Sequence, residues 1–595
     1  MAYFLKKTTN KKGTYLQIYE SHWDRERRQT VHKSVRPVGY AEELAGSEGL
    51  DDPIAHYREV VREMNEERAR RMEEERAKGR PEPERIGSVT PQMHLGHFPL
   101  MAVKESLGVS ADLALLQMKS GFRFSLDDLL SSLAYARAVS PCSKSRTFHD
   151  VLPQMLGVDA NFSLDQLYDG LAFLGEEYEK VIECYNAHVR EAFGRDTSKA
   201  FFDCTNFYFE IDREDDLRRK GPSKEGRADP IVGMGLLLDA DCIPIGMTVF
   251  PGNESEKPQL RSIVSDLRRR NSVTGRTIVV ADKGLNCADN IASALLAGDG
   301  YVFSKSVKTL ARQEREWALA DGDDWREVRG RRGELLYKYK ETVGDFRYGV
   351  TGADGRAKAV ELREKRVVTY NPDLARKQLA EISRQVEKAR RACGSQAKRQ
   401  RFGDKAKYLR LTAVSKEGEV GDDAVVATLD HEAIRKAKAE AGYNMLVTSE
   451  VGMDPTQLYD TYHRLWRIEE TFRVMKTELD ARPVYLQRQS TITGHFLVCY
   501  TTVLLLRLLQ LKVLGDEFGS HEIMDFVRGF DVVRQQGRGY VNVSRRSDLT
   551  DLLEERTGLP LGNLYLGKGD VDAMVRCKLS QIAGRTREDP PSKTL

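Results

Sequence analysis

Two short stretches, AFFDCTNFYFE at residues 200–210 and TIVVAD at 277–282, decide how this chain is read. Each is an apolar run carrying a single aspartate, the composition of a buried strand. Between them, IVGMGLLLD (231–239) and IPIGMTVF (243–250) predict a hairpin around Ala240 and Asp241. From Pro258 to Arg270, Leu260, Ile263, Val264 and Leu267 fall on one face, which predicts a helix. Beyond the second aspartate, 288–297 predicts a short helix and YVFSKS (301–306) another strand. Asp203 then lies midway along the first strand and Asp282 at the end of the fourth.

Outward toward the C-terminus, ELLYKYKETV, KRVVTYN, YLRLTAV and YNMLVTS give residues 307–450 the character of a β-rich insertion with one long charged helix. Within 374–408, eleven Lys or Arg stand against three acids, an excess of +8. A helix that basic can neutralise several phosphates and release their counterions; the alternative is a solvated helix with no partner.

Asp454-Pro455 has the form of a helix start and Pro483 bounds the far end, so 455–480 is expected to be one helix. Leu458, Tyr462, Leu465, Glu469, Phe472, Lys476 and Leu479 share one stripe along it. Tyr462, Glu469 and Lys476 are seven apart and project in nearly the same direction, because a helix drifts only about 20° per heptad. An acid and a lysine on an apolar stripe are costly to bury unless each finds a partner. Two turns hold these two roughly 10 Å apart, too far to pair with each other. A metal facing Glu469 and a phosphate facing Lys476 would satisfy both. Three carboxylates, Asp203, Asp282 and Glu469, are the hard-oxygen donors that suit Mg²⁺ or Mn²⁺. Two such ions stabilise the attacking and leaving oxygens of a phosphoryl displacement without a nucleophilic side chain.

Toward the N-terminus, residues 13–40 alternate as a small β module, 53–85 is a charged helix, and 95–195 shows helical spacing (Leu126, Leu129, Leu130, Leu133; Leu167, Leu171, Leu174). The expected boundaries are a β module at 1–50, a mostly helical candidate end-binding region at 51–195, a core at 196–306 and 451–515, the insertion at 307–450 and a C-terminal tail at 516–595. Net charge is only +3, so any basic DNA-binding surface is local. Eight scattered cysteines without ligand spacing argue against structural zinc and suit a reducing compartment. The start carries no secretory core, which gives an expectation of a cytoplasmic, nucleoid-associated protein. The apolar run from Phe496 to Leu506 is short of the roughly 20 residues of a membrane span and reads as a buried helix.

The order β-β-β-α-β-α-β resembles the ribonuclease-H-like fold, in which the positions of Asp203 and Asp282 hold metal-binding acids. The fold class expected is a multidomain α/β protein, with that core split by the β-rich insertion. More specifically, DCTNFYFE around Asp203, GPSKEGRADP (221–230), GLLLDADCIPIGMTVFPGNESE (235–256), ADKGLN around Asp282 and YHRLWRIEETFRVMK (462–476) resemble the bacterial insertion-sequence DDE transposases. The intervals of 79 and 187 residues between the three acids suit an insertion in the second interval. The resemblance implies metal-dependent DNA cleavage and strand transfer by Asp203, Asp282 and Glu469, with Mg²⁺ (or Mn²⁺), two ions, as cofactor. It implies double-stranded DNA as partner, both terminal inverted repeats and target, and a homodimer or larger assembly on paired ends. It also implies that Tyr462 and Lys476 contact the phosphate backbone. The family's signature arginine falls on Leu465; Arg464, Arg467 and Arg473 stand nearby, and Arg473 is the candidate substitute. Lys224, Arg227 and Asp229 are candidates to touch DNA or brace the site, and Lys283 to reach a phosphate. Trp23, Trp317, Trp325 and Trp466 read as packing, and Pro251-Gly252-Asn253 as a turn. Two other readings stay open: a nuclease of the same fold that does not join strands, and a non-catalytic DNA-binding derivative.

Overall fold

Strand-type alternation around Asp203 resolves into two opposite packing layers. The computed structural model describes residues 2–24, 29–77, 92–270, 272–351, 356–393, 396–397, 406–413, 425–535 and 539–583. Five strands follow the order predicted from sequence: β1 (Lys199–Tyr208), β2 (Ile231–Leu238), β3 (Pro244–Pro251), β4 (Ile278–Ala281) and β5 (Gly300–Lys305). They lie side by side as β3-β2-β1-β4-β5. The pairs β1–β2 and β2–β3 are antiparallel, and β4 and β5 run parallel to β1. Alternate residues of β1 face opposite ways. Phe202 and Cys204 pack with Leu260, Ile263, Leu267 and Ile291, while Phe201 and Phe207 pack with Leu458, Leu465, Phe472 and Phe496. Asp203 shares the parity of Phe201 and Phe207.

The helix after β3 forms where its apolar spacing predicts it, over Glu256–Arg269, with the Ser255 side chain accepting from the Lys257 N–H at its start. Three of the four strands predicted within 307–450 do not form a separate sheet. Arg326–Arg329, Leu335–Thr351, Ala357–Tyr370 and Tyr443–Thr448 continue the same sheet beyond β5, making nine strands. What is set apart is a smaller unit: Gln396–Ala397, Leu409–Ala413 and Val425–Leu429 pair as a second sheet. Helices Pro372–Ala392 and His431–Ala439 pack on it through Ile382, Ala389, Ala427 and Ile434.

The long basic helix expected over 374–408 is therefore corrected. It stops at Ala392. Arg376, Arg384, Arg390 and Arg391 pair with Asp373, Glu381 and Glu387 of the same helix. Residues 398, 399, 401 and 405 lie outside the described residues. The helix itself carries six cations and three acids, an excess of +3 within Pro372–Ala392.

The 95–195 region is helical, as expected, and is part of the main core. Helix α1 (Leu164–Glu176) places Leu167, Leu171 and Leu174 fully inside, against helix α2 (Gln489–Arg507). Helix α2 is buried on all sides from Thr491 to Arg507, which is what its all-round apolar sequence requires. With its continuation to Val513 it is long and apolar enough to cross a membrane, and it is mostly buried inside the protein as a core helix. The two helices approach backbone to backbone: a Cβ at Gly175 would collide with the Ser490 carbonyl, and one at Gly494 with the Leu171 carbonyl. Gly175→Ala is expected to destabilise the protein by about 1–3 kcal/mol, the usual cost of overpacking, read as a lower denaturation midpoint.

Residues 516–583, expected as a tail that packs against the core or contributes to assembly, are folded onto the main core. Ser520–Gly529, Asp548–Thr557 and Lys568–Val575 are helices, and Ile523, Phe530, Leu549, Leu553 and Met574 belong to the main core. The strands Asp531–Gln535, Gly539–Asn542 and Tyr565–Leu566 form a sheet with Gln92–His94. His94 Nδ1 and Asp531 Oδ1 meet at 2.8 Å.

Residues 1–90 form a compact unit of their own. The strands Ala2–Asn10, Gly13–Asp24 and Gln29–Tyr40 make an antiparallel sheet, and the charged helix is Pro53–Ala77. That helix belongs with the sheet: Tyr57 packs with Leu16 and Leu44, and Asn65 accepts from the Tyr3 N–H at 2.9 Å.

Candidate functional site

Strand register brings the two aspartates together. In the parallel pairing of β1 with β4, Phe202 stands opposite Ala281, so the next position sets Asp203 beside Asp282. In the pairing of β4 with β5, Ala281 stands opposite Phe303, which continues the row to Ser304. Neighbouring strands are about 4.8 Å apart, so the two carboxylates share one small region. Over this row run helix α3 (Pro455–His463), against β4, β5 and Tyr443–Thr448, and helix α4 (Trp466–Arg473), against β1.

These two helices replace the single helix expected over 455–480. At Arg464 and Leu465 the ladder tightens, with Arg467 N–H donating to the Arg464 carbonyl and Ile468 N–H to that of Leu465. After Arg473 it widens into a π turn over Val474–Glu478, where Leu479 N–H reaches back to the Val474 carbonyl. The Thr471 and Thr477 hydroxyls donate to the carbonyls of Arg467 and Arg473, four residues back, a bond that bends helices. Leu458, Leu465, Phe472 and Leu479 of the predicted stripe are buried, and Tyr462 and Lys476 partly so. Glu469 is exposed, so the argument that its charge is buried does not hold, and its carboxylate makes no hydrogen bond or ion pair among the described residues.

The two aspartates have opposite electrostatics. The Tyr462 and Ser304 hydroxyls both donate to Asp282 Oδ1, at 2.8 and 2.9 Å. Burial pushes the Asp282 carboxyl up, but the Lys283 N–H and those two hydroxyls outweigh it and hold it below the ordinary value. Asp203 accepts one bond, from the Cys204 N–H at 2.8 Å. Burial raises its carboxyl to about 6; the Lys224 ammonium and that N–H offset this in part, while Glu256 and Asp282 add to it. The Asp203 position thus favours an added positive charge. Tyr462→Phe removes one donor from Asp282 and is expected to cost about 1.5 kcal/mol, a bond to a charged group, measured by denaturant unfolding.

Two lysines flank the pair. Lys224 donates to the Cys204 carbonyl and lies 3.2 Å from Glu256, the first residue of the helix after β3. Lys476 lies 3.2 Å from Glu225 and 5.5 Å from the centre of the Phe207 ring. Burial and the nearby Lys224 charge push Lys476 down to about 8, with Asp203 offsetting only part. Glu225 also meets Arg482. The lysine expected to face a phosphate therefore has an internal carboxylate partner here.

The other predicted residues are dispersed. Arg464 donates to the Ala240 carbonyl at 3.2 Å, in the β2–β3 turn. Arg227 stacks over Tyr208 at 3.8 Å and pairs with Asp229 at 3.6 Å. Arg473 is exposed at the end of α4. Arg467 pairs with Glu470 and Asp516, and Leu465 fills the core where the signature arginine would stand. Sequence reading passed over Ser304, Glu256 and Glu225. Ser304 had a signal: aligning VVAD (279–282) with YVFS (301–304) as neighbouring parallel strands places it beside Asp282.

Residues 211–506 match the transposase DDE domain. This match spans just under half of the chain; it includes Asp282 and Glu469 and begins eight residues after Asp203. It supports a DDE transposase. Such enzymes generally use divalent metal ions. Asp203 and Asp282 are adjacent hard-oxygen donors, one of them raised by burial, and as a pair they fit a divalent cation. No three His, Cys, Asp or Glu side chains among the described residues converge on one metal position, so Glu469 does not complete the set in this arrangement. A cryo-EM structure of a piggyBac transposase synaptic complex with hairpin DNA is similar at 10% identity, over 74% of this chain and 78% of that chain, with a TM-score of 0.36. No curated protein matches the chain.

Proposed function

We propose that this protein is a DDE transposase that binds the ends of an insertion sequence and catalyses DNA cleavage and strand transfer of the cut-and-paste type. The observation that carries this reading is the register-paired Asp203 and Asp282, with the Tyr462 hydroxyl donating to Asp282, in a chain matching the transposase DDE domain. The strand order β3-β2-β1-β4-β5 supports a ribonuclease-H-like core, extended at one edge by the strands of the insertion.

In this reading Asp203 and Asp282 would hold Mg²⁺, or Mn²⁺ in its place, and Glu469 would be the third ligand once DNA is bound. When bound, a pair of such ions stabilises the attacking and leaving oxygens of an in-line displacement. Tyr462 and Ser304 fix Asp282, and Lys224 and Lys476 are proposed to face the scissile phosphate on exchanging Glu256 and Glu225 for it. Water attacks the phosphorus and the P–O3′ bond breaks, leaving a 3′-hydroxyl and a 5′-phosphate. That 3′-hydroxyl then attacks a target phosphodiester, whose own 3′-oxygen leaves. Arg473, Arg464 and Arg227 are proposed to contact DNA, in a homodimer or larger assembly on paired ends within the cytoplasm.

The test is incubation of the protein with Mg²⁺ and a labelled duplex carrying its element's end. Joined products support the reading. Nicks without joining make the protein a nuclease, and binding without either reaction makes it a non-catalytic DNA-binding protein.

A further inference from the structure

A cavity that the carboxylate site does not use opens beside the segment following the π turn. Its volume is about 370 Å³, and Arg137, Lys144, Arg146, Tyr168, Tyr485 and His495 contribute to its lining. Arg137 and Lys144 are only 6% and 5% exposed, and neither has an ion-pair partner among the described residues. The Arg137 guanidinium donates to the carbonyls of Cys142 and Leu479, at 2.9 and 3.4 Å. The Lys144 ammonium meets His495 Nδ1 at 3.3 Å. His495 is neutral, because burial, with Lys144 and Arg137 beside it, holds its pKa well below the usual value, and a neutral imidazole offers Lys144 an acceptor but no negative charge. Arg146, at the rim, pairs with Asp150 at 3.5 Å where both are exposed, a contact of little energy. Asp480 is the carboxylate in the lining, and it is exposed.

Two cations buried without a carboxylate are expensive to hold. Burial, then the charge of Arg137, lowers the Lys144 pKa to about 7. Both side chains line open space, so an anion entering the cavity would relieve that cost. A guanidinium, an ammonium and the Ser143 hydroxyl, also in the lining, are donors that match phosphate oxygens. The cavity is of the size that takes a small-molecule ligand, and Tyr485, 72% exposed, offers a stacking face.

We propose that this cavity binds a phosphate monoester, with Arg137 and Lys144 on the phosphate and Tyr485 beside the attached nucleoside. A strand-end 5′-phosphate and a free nucleotide present the same chemistry. The site is built from residues separate from the carboxylates, so it stands or falls independently of cleavage activity.

Thermal denaturation and titration calorimetry with inorganic phosphate, on the full chain and on Lys144→Met and Arg146→Ala, test it. Phosphate is expected to raise the melting temperature of the unaltered protein, and Lys144→Met to weaken its binding about tenfold or more, the loss of one charge-assisted bond. Without phosphate, Lys144→Met should melt no lower than the unaltered protein, because it removes an uncompensated buried charge. Arg146→Ala, at the rim, should keep the fold and weaken binding severalfold, and it is the deciding variant if Lys144→Met does not fold. A 5′-phosphorylated single-stranded oligonucleotide binding more tightly than its unphosphorylated form, through Lys144, identifies a strand end as the source. Equal oligonucleotide binding, with Lys144-dependent binding of a free nucleotide, identifies the free phosphate. Both support the site. The proposal is overturned if phosphate does not bind, or binds the unaltered protein and both variants alike.

Discussion

Asp203→Asn and Asp282→Asn are each expected to reduce cleavage at the element's end on the order of 10³-fold, with DNA binding retained. A metal ion supplies several kcal/mol of transition-state stabilisation, and each 1.36 kcal/mol is tenfold in rate. Asparagine preserves the shape of each side chain and removes the charge that would hold the cation. The two variants should differ in stability without metal, which separates a functional charge from a structural one. Asp203 is raised to about 6 from 3.8. Its charged form is therefore disfavoured in the fold, costs stability above pH 6, and is relieved as pH falls through 6 toward 4. Asp203→Asn should raise the denaturation midpoint at pH 7. Asp282 is held below its ordinary value, so its charge stabilises the fold above the unfolded pKa, and that contribution is lost as pH falls through the folded one. Asp282→Asn leaves the Tyr462 and Ser304 hydroxyls without an anion and should lower the midpoint. Unimpaired cleavage by either variant, in a gel assay with Mg²⁺, would remove that aspartate from the catalytic assignment.

The core around these aspartates was readable because its signals are local. Apolar runs of strand length, the turn at Ala240 and Asp241, and the one-sided helix after β3 each sit within about fifteen residues of chain, and parallel register then pairs Asp203 with Asp282. What was not readable depends on distant partners. Whether strands 335–351 and 357–370 build their own sheet or lengthen another is settled by the pairing of 443–448 with β5, which periodicity does not encode. The strand at 531–535 pairs with one at 92–94, so the C-terminal region reads as a tail unless both ends of the chain are considered together. A heptad stripe assumes an unbroken helix; the tight turn at 464–465 and the π turn at 474–478 change its phase, leaving Glu469 exposed and Lys476 against Glu225. The charge run at 374–408 was read as one helix for a related reason, since a count of cations does not show where the helix carrying them ends, which is at Ala392.

Arg507→Met is expected to destabilise the protein by about 3–5 kcal/mol, because it breaks a buried ion pair from one side. Arg507 is fully buried at the end of α2, where it lies 3.1 Å from Glu470 and donates to Thr471 and Gln510. Glu470 also accepts from Ser520 at 3.0 Å and meets Arg467 at 3.2 Å. Burial pushes the Glu470 carboxyl up, yet Arg507, Ser520 and Arg467 outweigh it and hold it below 4.5. This stabilisation is present above the unfolded pKa and is lost as pH falls through the folded one, so the acid limb of the stability profile should flatten in Arg507→Met. Replacing both charges, Arg507→Met with Glu470→Leu, should recover most of the loss, since apolar substitutes of similar volume commonly equal a buried pair. The pair ties α4 to α2 one residue from Glu469, which gives the double variant a second use. If the pair only braces α4, cleavage should fall in Arg507→Met and return with stability in the double variant. A double variant that is stable but remains slow would show that the charges themselves act on the carboxylate site, and equal stability of Arg507→Met and the unaltered protein would show that Glu470 is adequately held by Arg467 and Ser520.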